Sequence, residues 1–339
     1  MKCLCCGREF TTKTSIEEVE NGWHKKCVKA FFGGSKLPIL DISEETLKRL
    51  AEEKGALILV HNYESAEVQD VADICGDSLE LARKAKEADA KTLVICGVYF
   101  MAETAKILSP EKTVLIPRPD AGCALADQLT PEMVREAKVK HPGAPFVVYV
   151  NSSAATKAEC DITCTSANAA DVVRSLKEDV VLFGPDANLA AWVRKNVPEK
   201  TIITVPENGG CPVHHKVTVE EIEAARKQFP NATVICHPEC SPAVQEASDM
   251  IGSTGYMIRN CGEEKEWIIV TENGILHPLS KHYPETVFHG IEAVCESMKL
   301  ITLKDLYETL AEGKNEVIVE KETADRARDA IERMIEASA

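Results

Sequence analysis

Positive charge is in short supply in this chain. Its 339 residues carry 39 Lys and Arg against 54 Asp and Glu, a formal net charge of -15 at pH 7. That balance excludes nonspecific binding to nucleic acid or anionic membranes, both of which need a basic face, but leaves room for a locally positive pocket. Long apolar runs are missing as well. The longest one near the start, Ala56 to Val60, falls far short of the roughly 20 residues that cross a bilayer, so no membrane span is expected. No charged-then-apolar leader with a cleavage site is read, and a secretory signal is not expected. The dense pairing of small disulfide modules is also absent, although 14 cysteines are present. In a chain this long, that usage points to a reducing cytoplasm with some cysteines serving as metal ligands.

Cys75, Cys96 and Cys236 sit inside helix or strand patterns and read as buried small apolar residues. Cys160-x3-Cys164 and Cys236-x3-Cys240 lack the third nearby cysteine of a radical-type cluster motif and read as free thiols. Three other cysteines are set apart by context. Cys123, Cys211 and Cys295 each close one copy of a recurring phrase: an apolar strand ending in polar residues, a Gly/Ser/Thr turn opening a helix, a second strand, and a last segment. The strand ends are His61-Asn62-Tyr63, Tyr149-Val150-Asn151 and His237-Pro238-Glu239, and the turns are Gly76-Asp77-Ser78, Thr165-Ser166-Ala167-Asn168 and Gly252-Ser253-Thr254-Gly255. Ser78 and Ser166 each lie 45 residues before their cysteine, and Ser253 lies 42 before Cys295.

A spacing of 84 to 88 residues between the cysteines is too long for a solenoid repeat and suits a small αβα domain. Runs such as Leu57 to Val60 and Thr201 to Val205 are apolar throughout, as in parallel strands covered on both faces. Leu79 to Ala90, Ala169 to Leu176, Thr218 to Gln228 and Pro242 to Asp249 read as helices between them. The expected fold is α/β: three homologous αβα sandwich domains with parallel sheets around a pseudo-threefold axis. The expected division is a Cys/His-rich extension over 1–44 and a core over 45–339. Within that core, repeats are expected near 50–130, 140–215 and 230–300, with a helical segment over 301–339 packing back on them.

In parallel sheets ligands collect outside the carboxyl ends of the strands. His61, Tyr63, Tyr149, Asn151, His237, Glu239 and the three repeat-ending cysteines all fall there. Helices opening at the serine turns offer free N-H groups suited to phosphate or carboxylate, so an anionic substrate is expected. Three thiols so far apart in sequence can meet only at the axis. Without an evident fourth ligand they suit a 4Fe-4S cluster with one open iron acting as a Lewis acid, and zinc with three protein ligands and water remains an alternative. Tyr63 serves as an acid or base only if its pKa, about 10 in isolation, is lowered by neighbours.

These residues closely resemble the quinolinate synthase family, which completes the pyridine ring in de novo NAD synthesis. The resemblance runs from about residue 45 to the end. It rests on His61-Asn62-Tyr63, Glu67 through Asp73, Gly76-Asp77-Ser78, Phe100 through Thr104, Ala121-Gly122-Cys123, Tyr149-Val150-Asn151, Thr165 through Asn168, Cys211-Pro212-Val213-His214, His237-Pro238-Glu239, Gly252-Ser253-Thr254, and Cys295 through Met298-Lys299. It implies a transferase that condenses iminoaspartate with dihydroxyacetone phosphate to quinolinate, phosphate and water. By the same resemblance Cys123, Cys211 and Cys295 hold a 4Fe-4S cluster, and Tyr63, His237 and Glu239 act in proton transfer. Ser78 and Ser166 hold the phosphate, and His61, Tyr149, Asn151, His214, Ser253 and Thr254 line the pocket. An aspartate oxidase or dehydrogenase is implied as the source of iminoaspartate. A related iron-sulfur dehydratase or lyase, or a non-catalytic metal or redox sensor, are the competing readings of the same residues.

Residues 1–44 lie outside the resemblance. Cys3-x2-Cys6 with His24-x2-Cys27 could form a small zinc site, since so short a leader has too little core to fold alone. Ala190 stands where the family commonly has Gly, and Ile301 where a polar residue is more usual; neither is a proposed ligand.

Overall fold

The computed structural model describes residues 42–337 and two short strands, β1 (Val19–Glu20) and β2 (Trp23–His24), which pair antiparallel. Cys3, Cys6, Cys27 and the side chain of His24, the expected zinc ligands, lie outside the described residues.

From Glu44 onward the chain alternates helices with strands, and the strands form three four-stranded parallel sheets. The first holds β3 (Ala56–His61), β4 (Ile74–Gly76), β5 (Thr92–Cys96) and β6 (Thr113–Leu115) in the order β4-β3-β5-β6. The second holds β7 (Phe146–Tyr149), β8 (Ile162–Cys164), β9 (Val180–Gly184) and β10 (Thr201–Thr204) in the order β8-β7-β9-β10. The third holds β11 (Thr233–Cys236), β12 (Met250–Ile251), β13 (Glu266–Val270) and β14 (Val287–Gly290) in the order β12-β11-β13-β14. The same order three times makes the molecule a threefold α/β body, as expected. Central strands such as β7 are buried along their whole length because helices cover both faces.

One side chain repeats the fold's internal bonding in every copy. Asp73, Asp161 and Asp249 each accept the backbone N-H of the first strand of their own repeat, from Ile58, Phe146 and Val234, at 2.7, 2.7 and 2.8 Å. Their own N-H groups donate back to the carbonyls of the same three residues. These aspartates are spaced by 88 residues, and that period continues to Ser78, Ser166 and Thr254. Sheet register agrees, pairing His61 with Gly76, Tyr149 with Cys164 and Cys236 with Ile251. Thr254, not Ser253, is therefore the third-repeat counterpart of Ser78 and Ser166. The shorter spacing to Cys295 arises after residue 254.

Helix starts follow ordinary capping chemistry. Asp77 accepts from Leu79 and Glu80 N-H to open helix Ser78–Glu87, Ser253 accepts from Tyr256 N-H to open helix Thr254–Asn260, and Thr218 forms a capping box with Glu221. Helix Ala169–Ser175 opens at Asn168, so Ser166 sits before the helix rather than at its start. After Met298 the chain returns to the first two repeats. Val317 N-H donates to Val114 beside β6, and helix Lys321–Glu336 packs on β8 and on helices Ala154–Lys157 and Tyr99–Leu108. The first two sheets share one continuous apolar core with that last helix, while the third sheet has separate clusters on its two faces.

Candidate active site and metal centre

The strand exits of all three sheets open into one cavity of about 480 Å³. Its wall takes His61 and Tyr63 from the exit of β3, Tyr149 and Asn151 from that of β7, and His237 and Glu239 from that of β11. Ser78, Ser166 and Thr254 follow the second strand of each repeat, and Cys123, Cys211, Cys295 and His214 complete the set. Of the residues read from sequence in the core, only Ser253 is not on this wall; its hydroxyl caps its own helix.

The three thiols share a local design. Two backbone N-H groups, two and three residues further on, favour the thiolate of each: Leu125 and Ala126 for Cys123, Val213 and His214 for Cys211, Ser297 and Met298 for Cys295. Burial pushes Cys123 up to about 12 and also raises Cys211 and Cys295, while these N-H groups pull the other way. All three cysteines line the cavity. Half-buried thiols with N-H groups beside them suit a metal centre that replaces the proton, because such groups stabilise bound thiolate. Carboxylates behind the wall fix two of the loops: Asp186 accepts Cys211 N-H at 3.1 Å, and Glu272 accepts Cys295 N-H at 3.2 Å while pairing with Lys299 at 3.0 Å. A mixed donor set overlaps this one, with Cys211, His214 and Glu239 offering ligand atoms within 4.8 Å of one another.

A continuous hydrogen-bonded chain crosses the cavity wall. Tyr63 Oη is 2.6 Å from Thr271 Oγ1, Thr271 Oγ1 is 2.7 Å from His214 Nε2, and His214 Nδ1 is 2.7 Å from a Glu239 oxygen. Burial alone would raise the Glu239 pKa, but the His214 and His237 imidazoles outweigh it and hold the carboxyl ionised, at about 2. An ionised Glu239 accepts a hydrogen bond from His214 Nδ1-H, leaving Nε2 to accept from Thr271, which in turn accepts from Tyr63. Burial, then the charge of Glu239, raises Tyr63 well above the usual phenol range, contrary to the lowered pKa that the sequence reading required.

His61 and His237 occupy equivalent positions and are fixed alike. Each Nδ1 accepts the N-H two residues on, from Tyr63 at 3.1 Å and Glu239 at 3.3 Å, so the proton of the neutral ring is on Nε2. Burial lowers His61 to about 4 and His237 to about 3, and His237 Nε2 donates to Ser166 Oγ at 3.1 Å. Thr271 was not singled out in the sequence. Its signal is its place as the first polar residue after the apolar strand Trp267–Val270, the same signal that marks His61 and His237.

Threefold α/β architecture, one cavity at the strand exits of all three repeats and a candidate metal-binding donor set on its wall define a class: a metal-binding enzyme of small-molecule substrates. Comparison with known proteins gives the family. Residues 45–336 match the family described as quinolinate synthetase A protein. The chain is 54% identical over 297 residues to the quinolinate synthase of Pyrococcus furiosus, covering 87% of this chain and 98% of that one. It is 47% identical to the quinolinate synthase of Methanocaldococcus jannaschii over 300 residues, 86% and 97% of the two chains, and 45% identical to that of Aquifex aeolicus over 313 residues, 90% and 96%. The chain belongs to the quinolinate synthetase A family.

Proposed function

We propose that the chain is a quinolinate synthase that joins iminoaspartate to dihydroxyacetone phosphate and releases phosphate and water. The observation that carries this reading is the set of three equivalent thiols, each with its pair of N-H groups, on a cavity walled by the strand exits of all three repeats. Cys123, Cys211 and Cys295 would hold a 4Fe-4S cluster, which when bound supplies Lewis acidity toward a departing hydroxyl from an iron without a protein ligand.

The hydroxyls of Ser78, Ser166 and Thr254 hold the phosphate. His237 orients Ser166 through Nε2. His61 Nε2-H, Tyr149 and Asn151 donate to the carboxylates without introducing fixed positive charge. Tyr63 is too weak an acid to ionise alone, so proton removal from substrate proceeds through the chain behind it. As Tyr63 takes a substrate proton, its own moves to Thr271 and that of Thr271 to His214 Nε2; the reverse shift makes the same tyrosine an acid. The accepted proton rests on His214 as an imidazolium, and the ionised Glu239 stabilises that charge and fixes the ring. The iminoaspartate would come from an aspartate-oxidising enzyme, an oxidase or a dehydrogenase. Ten free cysteines among the described residues fit the reducing cytoplasm.

The test is anaerobic purification with iron and sulfide analysis, followed by quinolinate formation from the two substrates. About four iron per chain is expected, falling with turnover in Cys123→Ala, Cys211→Ala or Cys295→Ala. Thr271→Val should keep the iron and lose on the order of 100-fold in kcat, with Thr271→Ser close to wild type. A full iron complement without quinolinate would overturn the assignment.

A further inference from the structure

Directly behind each pocket-facing strand exit lies a buried nitrogen donor at the same position of the repeat. Gln69, Lys157 and Gln245 are spaced by 88 residues, and they are 7%, 0% and 5% exposed. Gln69 Nε2 donates to the carbonyls of Asn62 and Glu64 in its own exit segment, at 3.1 and 2.8 Å, and to Gly274 of the third repeat at 2.9 Å. Gln245 Nε2 repeats this bond for bond, donating to Pro238 and Cys240 in its own segment, at 2.9 and 2.8 Å, and to Asn188 of the second repeat at 3.4 Å. Lys157 Nζ donates to Ser152, the counterpart of Glu64 and Cys240, and sits 5.1 Å from the ring of Phe100 in the first repeat. Glu103 of that repeat accepts Ala154 N-H at 3.0 Å and supplies the charge opposing Lys157.

We infer that these three residues form a ring of positioning clasps, each setting the strand exit that carries two pocket residues against the next repeat. The first repeat is held to the third, the third to the second and the second to the first. No clasp touches the cavity, and each holds carbonyls flanking the residues that do: Tyr63 lies between Asn62 and Glu64, and Glu239 between Pro238 and Cys240. A buried carbonyl without a donor is costly, so the segment keeps its path only while the clasp is in place. A shift of about 1 Å at a reacting group can lower turnover on the order of 100-fold. The lysine in the second repeat is a donor of another kind at the same post, charged because Glu103 and the Phe100 ring are beside it.

The inference rests on the proposed activity for its kinetic readout alone, and a second readout stands apart from it. The variants are Gln69→Met, Lys157→Met and Gln245→Met, which keep length and remove the donor, and Lys157→Gln, which installs the amide of the other two repeats. They are prepared as full-length, iron-loaded protein. Each methionine variant with wild-type iron content should show kcat at least about tenfold lower with KM within about threefold, because binding groups remain while reacting groups are misaligned. Hydrogen exchange should quicken by about tenfold or more in that variant's own exit segment, 61–64, 149–152 or 237–240. Lys157→Gln should retain at least about a third of wild-type kcat, a rescue that bulk packing does not explain. Where a methionine variant does not fold, the asparagine variant at that position is read instead, with a loss of about three- to tenfold expected because its shorter amide reaches fewer of the carbonyls. Unchanged kcat in these variants overturns the inference, as does a loss that only tracks the iron-free fraction. Lys157→Gln as impaired as Lys157→Met also overturns it. If the wild type itself makes no quinolinate, the proposed activity fails, and exchange in the three segments still decides the clasps.

Discussion

Glu64 is fully buried, and neither carboxyl oxygen has a hydrogen-bond partner. Burial pushes its pKa to about 9, with Glu272 adding to the rise and Lys299 opposing it. In the folded chain the group is therefore a neutral acid at physiological pH, whereas in the unfolded chain it ionises near 4.5. Between those values the unfolded state binds fewer protons, so stability falls as pH rises through the window; below it the contribution is fully present. One pKa unit is about 1.4 kcal/mol, so the slope from this group alone is at most about that much per pH unit. Glu64→Gln removes the titration. Its unfolding midpoint in urea relative to wild type should rise steadily from pH 5.5 to 8.5, and parallel profiles would show that Glu64 does not titrate in this range.

At the scale of elements, much of the fold is legible because burial on both faces forces strands such as β3, β9 and β13 to be apolar except at an end. Helix positions are legible too, although Leu79 to Ala90 is observed as Ser78–Glu87, with the chain leaving the helix before Asp89. What escapes is whatever depends on register between distant segments. The 88-residue period is carried by Asp73, Asp161 and Asp249, ordinary surface-looking residues whose bonds to the first strands appear only once the sheet exists. Anchoring the repeats on Ser253 rather than Thr254 was the consequence. Most of the cavity wall could be named from strand ends, but Thr271, which joins Tyr63 to His214, is one polar residue among many until folding brings it there. The last helix is expected to pack back on the core, but its spaced Ala324, Ala327, Ile331 and Met334 mark a buried stripe without saying which repeats it covers. In the fold it closes the core shared by the first two repeats. Ile331→Ala should therefore cost about 2 to 5 kcal/mol, read as a lower urea midpoint, although the residue belongs to neither repeat it supports.

On the scale of the whole molecule, the three repeats are equivalent in topology and unequal in packing. The first two share one core, with a further cluster on the second sheet, whereas the third has its own clusters and meets the others through Tyr63, which packs on one of them, and through polar contacts such as Ser166 with His237, Asn188 with the carbonyl of Glu239, and Gln69 with that of Gly274. Polar contacts of this kind contribute about 1 kcal/mol each, far less than a shared apolar core. The cluster proposed above, drawing one thiol from every repeat, would therefore matter most to the third, whose Cys295 lies at the edge of the common core. Ligand binding stabilises the elements whose native arrangement it requires. Removal of iron by anaerobic chelation should accelerate amide exchange in β11 and β13 at least about tenfold more than in β5 and β9, a difference of about 1.4 kcal/mol in opening free energy. An equal change in all four strands would mean that the three repeats open as one cooperative body and that the separate clusters of the third do not set its stability.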